Sequence, residues 1–422
     1  MTRNIGIGHQ DFGKLREQNN FYVDKTALIR QWWESGDEVT LVTRPRRFGK
    51  TLNLSMLEAF FSVKYVGCGE WFHGLDIWED EAYRDLQGTY PVIALSFAGV
   101  KENSCKEARE SICRIIEEIY NKHDYLLEGS FLNENEKEYY GKVHAEMNDS
   151  VAAVSLRSMS DYLSRYYGKK TIILLDEYDT PMQEAYVNDY WDELASFIRS
   201  LFNFTFKTNP YLERAFMTGI TRVSRESVFS DLNNLEVVTT TTRKYEAMFG
   251  FTEKEVSCAL QQYGLTDREK EVKLWYDGFT FGSQRGIYNP WSIINFLSKR
   301  EVGTYWANTS SNSLISKLIQ KSSVQFKEDF ERILSGKSIR TGIDEQIVYN
   351  QLDMAESAIW SLLLASGYLR VKSVETVYTS TFWEQLYELE PPNFEVRLMF
   401  RGMVKRWFGT KKEKSGYNYS GI

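Results

Sequence analysis

Residues Glu38–Phe61 read E-V-T-L-V-T-R-P-R-R-F-G-K-T-L-N-L-S-M-L-E-A-F-F. The β-branched run Val39–Thr43 predicts a short buried strand. An eight-residue turn, Arg44–Thr51, follows and ends in Gly49-Lys50-Thr51. Leu52, Leu54, Met56, Leu57, Phe60 and Phe61 then fall on one side of a helix. Strand, Gly-Lys-Thr turn and helix form the layout of a phosphate-binding loop. Successive backbone N–H groups at a helix N-terminus face an anion, Lys50 reaches the β- and γ-phosphates, and the Thr51 hydroxyl can bind Mg²⁺. The backbone around Phe48, Gly49 and Leu52 is expected to close on the same phosphates.

The pattern departs from G-x-x-x-x-G-K-[ST] at its first glycine, which is Arg44 here. That glycine ordinarily gives the turn conformational freedom, and Pro45 stiffens it instead. Arg44, Arg46 and Arg47 would set three guanidiniums beside the phosphate seat and hold a triphosphate electrostatically. A basic strand-to-helix turn with no ligand is the competing interpretation of this stretch alone.

A second stretch decides between them. Thr171–Pro181 reads T-I-I-L-L-D-E-Y-D-T-P, a buried parallel strand ending in two carboxylates. Set about 125 residues after the Gly-Lys-Thr turn, it has the form of a Walker B strand. Asp176 is expected at Mg²⁺, and Glu177 is expected to polarise the water that attacks the γ-phosphate. Ala215–Thr218 predicts another buried strand, with Thr218 placed to sense the γ-phosphate. Arg222 and Arg225 lie just beyond, where an arginine stabilises transition-state charge. Before the first strand, Asp24 is expected to cap a helix from Thr26 to about Trp33, and Phe12 or Tyr22 is placed to stack on adenine.

The bulk properties narrow the class. The chain has 422 residues, 42% hydrophobic and 26% charged, as in soluble globular proteins. A net charge of −7 does not suit a chain that binds nucleic acid through overall charge. The four cysteines form no C-x-x-C pair and the four histidines have no metal-ligand spacing. A disulfide framework, a zinc site and a catalytic triad are therefore unsupported. No apolar run reaches the roughly 18 residues of a membrane span and no secretory h-region is visible, so the expected location is the cytoplasm.

Further on, helices are expected at about 104–121, 151–167 and 188–207, and strand-like residues at 91–97. From Thr252 the pattern changes to small helices. Thr252-x-x-Glu255 and Thr266-x-x-Glu269 match capping boxes, helical periodicity recurs near 290–299, 311–321, 324–335 and 354–366, and 369–381 alternates like a hairpin strand. Small helices followed by a hairpin suit a winged-helix-like lid.

Several segments together resemble the bacterial predicted AAA-ATPase-like family. They are F-x-K-L-R (Phe12–Arg16), Y-V-D-K-T (Tyr22–Thr26), R-P-R-R-F-G-K-T, L-D-E-Y-D-T-P (Leu175–Pro181) and T-G-I-T-R-V-S-R-E-S-V-F-S-D-L-N-N (Thr218–Asn234). W-Y-D-G-F (Trp275–Phe279), Y-N-P-W-S (Tyr288–Ser292), Y-W-x-N-T (Tyr305–Thr309) and S-G-Y-L (Ser366–Leu369) extend the likeness. The resemblance implies ATP binding in an α/β P-loop NTPase core, three layers around a parallel sheet, over residues 1–245. It also implies a helical, winged-helix-like lid over 246–395, and makes Arg44 the family's own form of the loop. Members often carry a C-terminal PD-(D/E)xK nuclease-like domain. After Pro391–Arg397 only about 25 basic, Gly-rich residues remain. Residues 396–422 are therefore expected to be a tail or the start of an absent domain, and no nuclease residues are assigned.

The expected activity is Mg²⁺-dependent ATP hydrolysis that drives a conformational switch. Two rival readings remain, a non-hydrolysing nucleotide-binding scaffold and an ATPase subunit serving a nuclease-linked, nucleic-acid-processing system. A protein partner or a second copy of the chain is left open by the sequence.

Overall fold

The structure, a computed structural model, describes residues 3–222, 228–229, 232–307, 313–344, 356–378 and 383–409. Five strands form the central sheet: β1 (Val39–Thr43), β2 (Val92–Ser96), β3 (Thr171–Asp176), β4 (Leu212–Gly219) and β5 (Leu235–Val238). Their order is β2-β3-β4-β1-β5 and every pairing is parallel. Parallel strands need crossovers, and the helices of those crossovers cover both faces of the sheet.

Side-chain alternation along the strands shows the two covered faces. Leu41, Ile173, Leu175, Ala215 and Met217 pack with Ile112, Ile116, Leu156, Met159 and Ile198 from the helices Cys105–Lys122, Asp149–Tyr167 and Trp191–Phe202. Val42, Ile172, Leu174 and Phe216 pack on the opposite face with Leu28, Trp32, Leu57 and Phe61 from the helices Ala27–Ser35 and Lys50–Phe61. This is the three-layer P-loop NTPase core that the sequence implies. The sheet brings the C-terminal ends of β1, β3 and β4 to one edge, where open α/β sheets bind ligands.

Beyond the core, the expected helices are present at Pro290–Lys299, Ser313–Lys321, Val324–Leu334 and Glu356–Ala365, and two small antiparallel sheets accompany them. Strands β6 (Phe251–Thr252), β7 (Phe279–Phe281) and β8 (Gln284–Tyr288) form one antiparallel sheet. Strands β9 (Ile339–Gly342), β10 (Arg370–Tyr378) and β11 (Trp383–Glu390) form another, ordered β10-β11-β9. The capping box at Thr252 and Glu255 is present. The one expected at Thr266 is not, because Thr266–Arg268 is a 3₁₀ turn and the helix Glu269–Tyr276 starts after it. Packing is continuous across residue 245, since Tyr245, Phe249, Phe279, Phe281 and Ile287 share one cluster with the sheet. The stretch from 396, expected to be a tail or the start of another domain, begins within the helix Phe394–Gly409, and residues 410–422 fall outside the described part. Among the described residues no helix is long and apolar enough to cross a membrane.

An ion pair with a buried lysine joins the N-terminal segment to the region after the core. Lys25 Nζ donates to both Glu255 oxygens at 2.7 Å and to the Ala247 carbonyl at 2.8 Å. Burial lowers the Lys25 pKa and Glu255 opposes that shift. Lys25→Ala removes charge-assisted hydrogen bonds from a buried ammonium to the half-buried Glu255 and leaves the Ala247 carbonyl without that donor, so it should destabilise the chain by about 2–3 kcal/mol in a denaturant melt. A change below about 0.5 kcal/mol, the usual size for a surface site, would contradict that.

A second buried group makes stability depend on pH. Glu395 is enclosed by donors from two other elements: Ser292 Oγ (2.8 Å), the Trp306 amide (2.6 Å) and the Ala307 amide (3.3 Å). Burial pushes its carboxyl up from 4.5 to about 7, against those three hydrogen bonds. Between these values the folded chain keeps a proton that the unfolded chain has released. The contribution is therefore full below about pH 4.5 and is lost as pH rises through 7, by roughly 3 kcal/mol in all. Melts at pH 5 and pH 8 should differ less for Glu395→Gln than for the parent. Equal differences would remove Glu395 as the cause.

Candidate nucleotide and metal site

The loop from Arg44 to Thr51 joins β1 to the helix Lys50–Phe61 and opens on a cavity of about 790 Å³. Gly49 is the helix N-cap at φ 86°, a left-handed conformation that glycine adopts without strain. No side chain caps this helix, so the first-turn N–H groups are left for an external acceptor.

Two distant stretches meet at that opening. Thr51 Oγ1 donates to Asp176 Oδ2 at 2.7 Å. Lys50 Nζ lies 3.3 Å from Glu177 Oε1 and donates to the carbonyls of Arg44 (3.1 Å) and Pro45 (3.2 Å). Lys50 is 3% exposed and Asp176 is 5% exposed, so both charges are largely out of water. Burial raises the Asp176 carboxyl above its ordinary range, while hydrogen bonds from Thr218 and Thr51 oppose the shift. Glu177 sits at φ 51°. A non-glycine residue in that region stores strain, which tends to persist where surrounding contacts fix a functional group.

Among the described residues no cluster of three His, Cys, Asp or Glu side chains is placed to hold a metal. Mg²⁺ does not require one, because it is commonly held by one or two protein oxygens with substrate phosphates and water. Thr51 and Asp176, already in contact at the uncapped helix end, fit that mode.

Several expected ligands are placed elsewhere. Arg44 is fully buried, and its Nη1 donates to the carbonyls of Thr43 (2.9 Å), Val238 (3.4 Å) and Thr239 (2.6 Å). Its guanidinium carbon sits 4.7 Å from the Phe281 ring centroid and 5.6 Å from that of Phe249. Burial pushes its pKa down to about 9, with Glu246 opposing, so it remains a cation at neutral pH. Arg44 thus braces the loop from below and does not line the cavity. Its backbone does not need glycine either: the left-handed positions of the turn are Arg47 (φ 67°) and Gly49.

Arg46 and Arg47 do line the cavity, but the Arg47 guanidinium lies over the Trp291 ring at 4.4 Å. The Phe48 ring is buried against Phe279 and Phe281, so only its backbone serves the loop. Leu52 lines the cavity. Tyr22 does too, although its hydroxyl donates to Met56 and its ring meets Phe12 edge-on. Phe12 is fully buried, which rules out its stacking on a base. Thr218 lies below the cavity, where its hydroxyl donates to Asp176 Oδ1 and orients that carboxylate. Arg222 does not line the cavity, and Arg225 lies outside the described residues.

Sequence reasoning missed other contributors. Asp179 is fully buried, and its Oδ2 accepts from the amides of Ile220 (3.1 Å) and Thr221 (2.8 Å) and from Thr221 Oγ1 (2.7 Å). Tyr178 Oη donates to the Thr221 carbonyl at 2.8 Å. The turn after β3 therefore grips the segment after β4. Gly219 permits this close approach, because a Cβ there would sit 2.6 Å from the Tyr178 ring and 2.7 Å from Asp179 Oδ1. Gly6, Gly8, His9 and Gln10 also line the cavity, as does Trp291 beneath Arg47. The L-D-E-Y-D-T-P motif was the available signal for Asp179; the N-terminal strap gave none.

A protein of Azotobacter chroococcum mcd 1, named "Uncharacterized protein in vnfD 5'region", is 26% identical over 399 residues, covering 94% of this chain and 68% of that protein. A solved structure, "Structure of Drosophila ORC bound to AT-rich DNA and Cdc6", aligns over 94% of both chains at 8% identity with a TM-score of 0.22, too slight a likeness to inform the fold. The model of the family described as Predicted AAA-ATPase matches residues 6–229, which include the loop, both carboxylates and the strands β1 to β4, and the chain belongs to that family.

Proposed function

We propose that the protein binds ATP with Mg²⁺ in this cavity and hydrolyses it, using the reaction as a conformational switch. The observation that carries the proposal is the meeting of Lys50 and Thr51 with Asp176 and Glu177 at an uncapped helix N-terminus. In this reading Lys50 exchanges its bond to Glu177 for the β- and γ-phosphates. The loop amides from Gly49 onward donate to phosphate oxygens. Thr51 and Asp176 hold Mg²⁺, which when bound neutralises phosphate charge. Released from Lys50, the Glu177 carboxylate accepts a proton from the water that attacks phosphorus, and ADP leaves. Residues after 245 contact the loop directly, since the Gly250 amide donates to the Phe48 carbonyl at 3.1 Å. They would be the part that moves as phosphate is gained and lost.

The test is a thermal melt combined with a phosphate-release assay. Mg-ATP at about 100 times its Kd should stabilise the fold by about 2.7 kcal/mol, and phosphate should appear above the blank. Stabilisation without phosphate release would point to a scaffold instead, and neither effect would remove the nucleotide reading.

A further inference from the structure

Three motifs of the later chain have no part in the chemistry above, yet they converge on the phosphate loop. The Arg46 carbonyl accepts from Trp306 Nε1 at 3.0 Å and from Asn289 Nδ2 at 3.5 Å. Trp306 belongs to Y-W-x-N-T and Asn289 to Y-N-P-W-S. Trp306 is itself fixed by a third segment, because its amide and that of Ala307 donate to Glu395 Oε1. Glu395 Oε2 accepts from Ser292 Oγ at 2.8 Å, one turn beyond Asn289. The Trp306 ring meets Phe279 edge-on at 6.1 Å, and Phe279 meets Phe48 of the loop at 4.8 Å.

The physical need for this support lies in the loop. A peptide plane carries its C=O and the next N–H on opposite sides. Holding the Arg46 carbonyl outward therefore sets the direction of the Arg47 N–H. Arg47 is also the non-glycine residue at φ 67°, a conformation that costs energy and persists only when neighbours over-determine it. With a non-glycine residue at the left-handed position 47, the loop's shape depends on groups that hold it from outside.

We infer that Trp306, fixed by Glu395, is a positioning residue for phosphate binding: its indole N–H pins the Arg46–Arg47 peptide so that the loop meets the nucleotide preformed. The inference rests on the nucleotide-binding reading above. It assigns to the segments around 289, 306 and 395 a role in affinity, separate from the chemical step. The same path would carry loop occupancy back to the helix Phe394–Gly409.

Titration and turnover with Mg-ATP on the full chain test it, using the parent, Trp306→Phe, Glu395→Gln, the double variant and Lys50→Ala. Phenylalanine keeps an aromatic ring and deletes the donor. Trp306→Phe should raise Kd and KM by about three- to tenfold, the worth of one hydrogen bond, with kcat within about twofold of the parent. Glu395→Gln should raise KM in the same direction and add nothing further in the Trp306→Phe background, because both act through one bond. If Trp306→Phe does not fold, Asn289→Asp replaces it. That variant keeps the helix-capping oxygen, removes the donor to Arg46 and should raise KM likewise. Parental Kd and KM in a folded Trp306→Phe, or additive effects of the two changes, would overturn the inference while loss of binding in Lys50→Ala left the nucleotide reading intact. A parent that does not bind Mg-ATP would overturn both.

Discussion

Lys50→Ala should bind Mg-ATP about a hundredfold or more weakly than the parent, with turnover lost to the same degree. The Lys50 ammonium is almost fully buried, and its partners are two loop carbonyls and one Glu177 oxygen. A unit positive charge 4 Å from a unit negative charge gains about 4 kcal/mol at an effective dielectric of 20. A triphosphate presents more than one such charge. Breaking the existing contacts to Glu177 and the carbonyls offsets part of that gain, which leaves an effect near two decades. Alanine also removes the cation that Glu177 now faces, so the variant's melt should be recorded with its affinity. Calorimetric titration of the two proteins measures the difference directly. An affinity within threefold of the parent would sever Lys50 from the phosphate.

Glu177→Gln is the second large effect, and it should separate binding from chemistry. Glutamine has nearly the same shape but cannot accept a proton. Turnover should fall by about 10²- to 10⁴-fold, the range of a positioned general base, while Mg-ATP affinity stays close to the parent's. The Glu177 carboxylate lines the cavity next to Lys50 and is held on a left-handed backbone position. Glutamine should keep that backbone, because the Tyr178 and Asp179 contacts to Thr221 fix the turn independently of the side chain at 177. Single-turnover phosphate release in the two proteins gives the comparison. Equal rates would show that water is activated by some other group.

The parts legible in the sequence are those whose signal is local. Val39–Thr43 and Thr171–Asp176 are buried on both faces, and continuous apolar or β-branched runs record that burial. Gly49-Lys50-Thr51 records the turn. The pairing of Thr51 with Asp176 followed from treating two motifs as one site. Arg44 was misread because a guanidinium in a phosphate-loop motif suggests an anion, and nothing nearby in sequence reveals that Val238, Thr239 and Phe281 surround it. Thr218 was placed one layer too high, since strand position gives the end of β4 but not which way a buried hydroxyl turns. β5 escaped notice because Leu235–Val238 is only four residues long. Asn289 and Trp306 carried motif signal without meaning, as their common partner, the Arg46 carbonyl, is a backbone atom more than 240 residues from the nearer of them, and Glu395, which accepts from the Trp306 amide, carried none.

A structure determined with Mg²⁺ and a non-hydrolysable ATP analogue would test the central claim most directly. The account predicts phosphates on the amides at the start of the helix Lys50–Phe61, Lys50 Nζ moved from Glu177 to the β- and γ-oxygens, and the metal between Thr51 Oγ1 and Asp176. Phosphate bound elsewhere in the chain, with the Lys50–Glu177 and Thr51–Asp176 contacts unchanged, would contradict it.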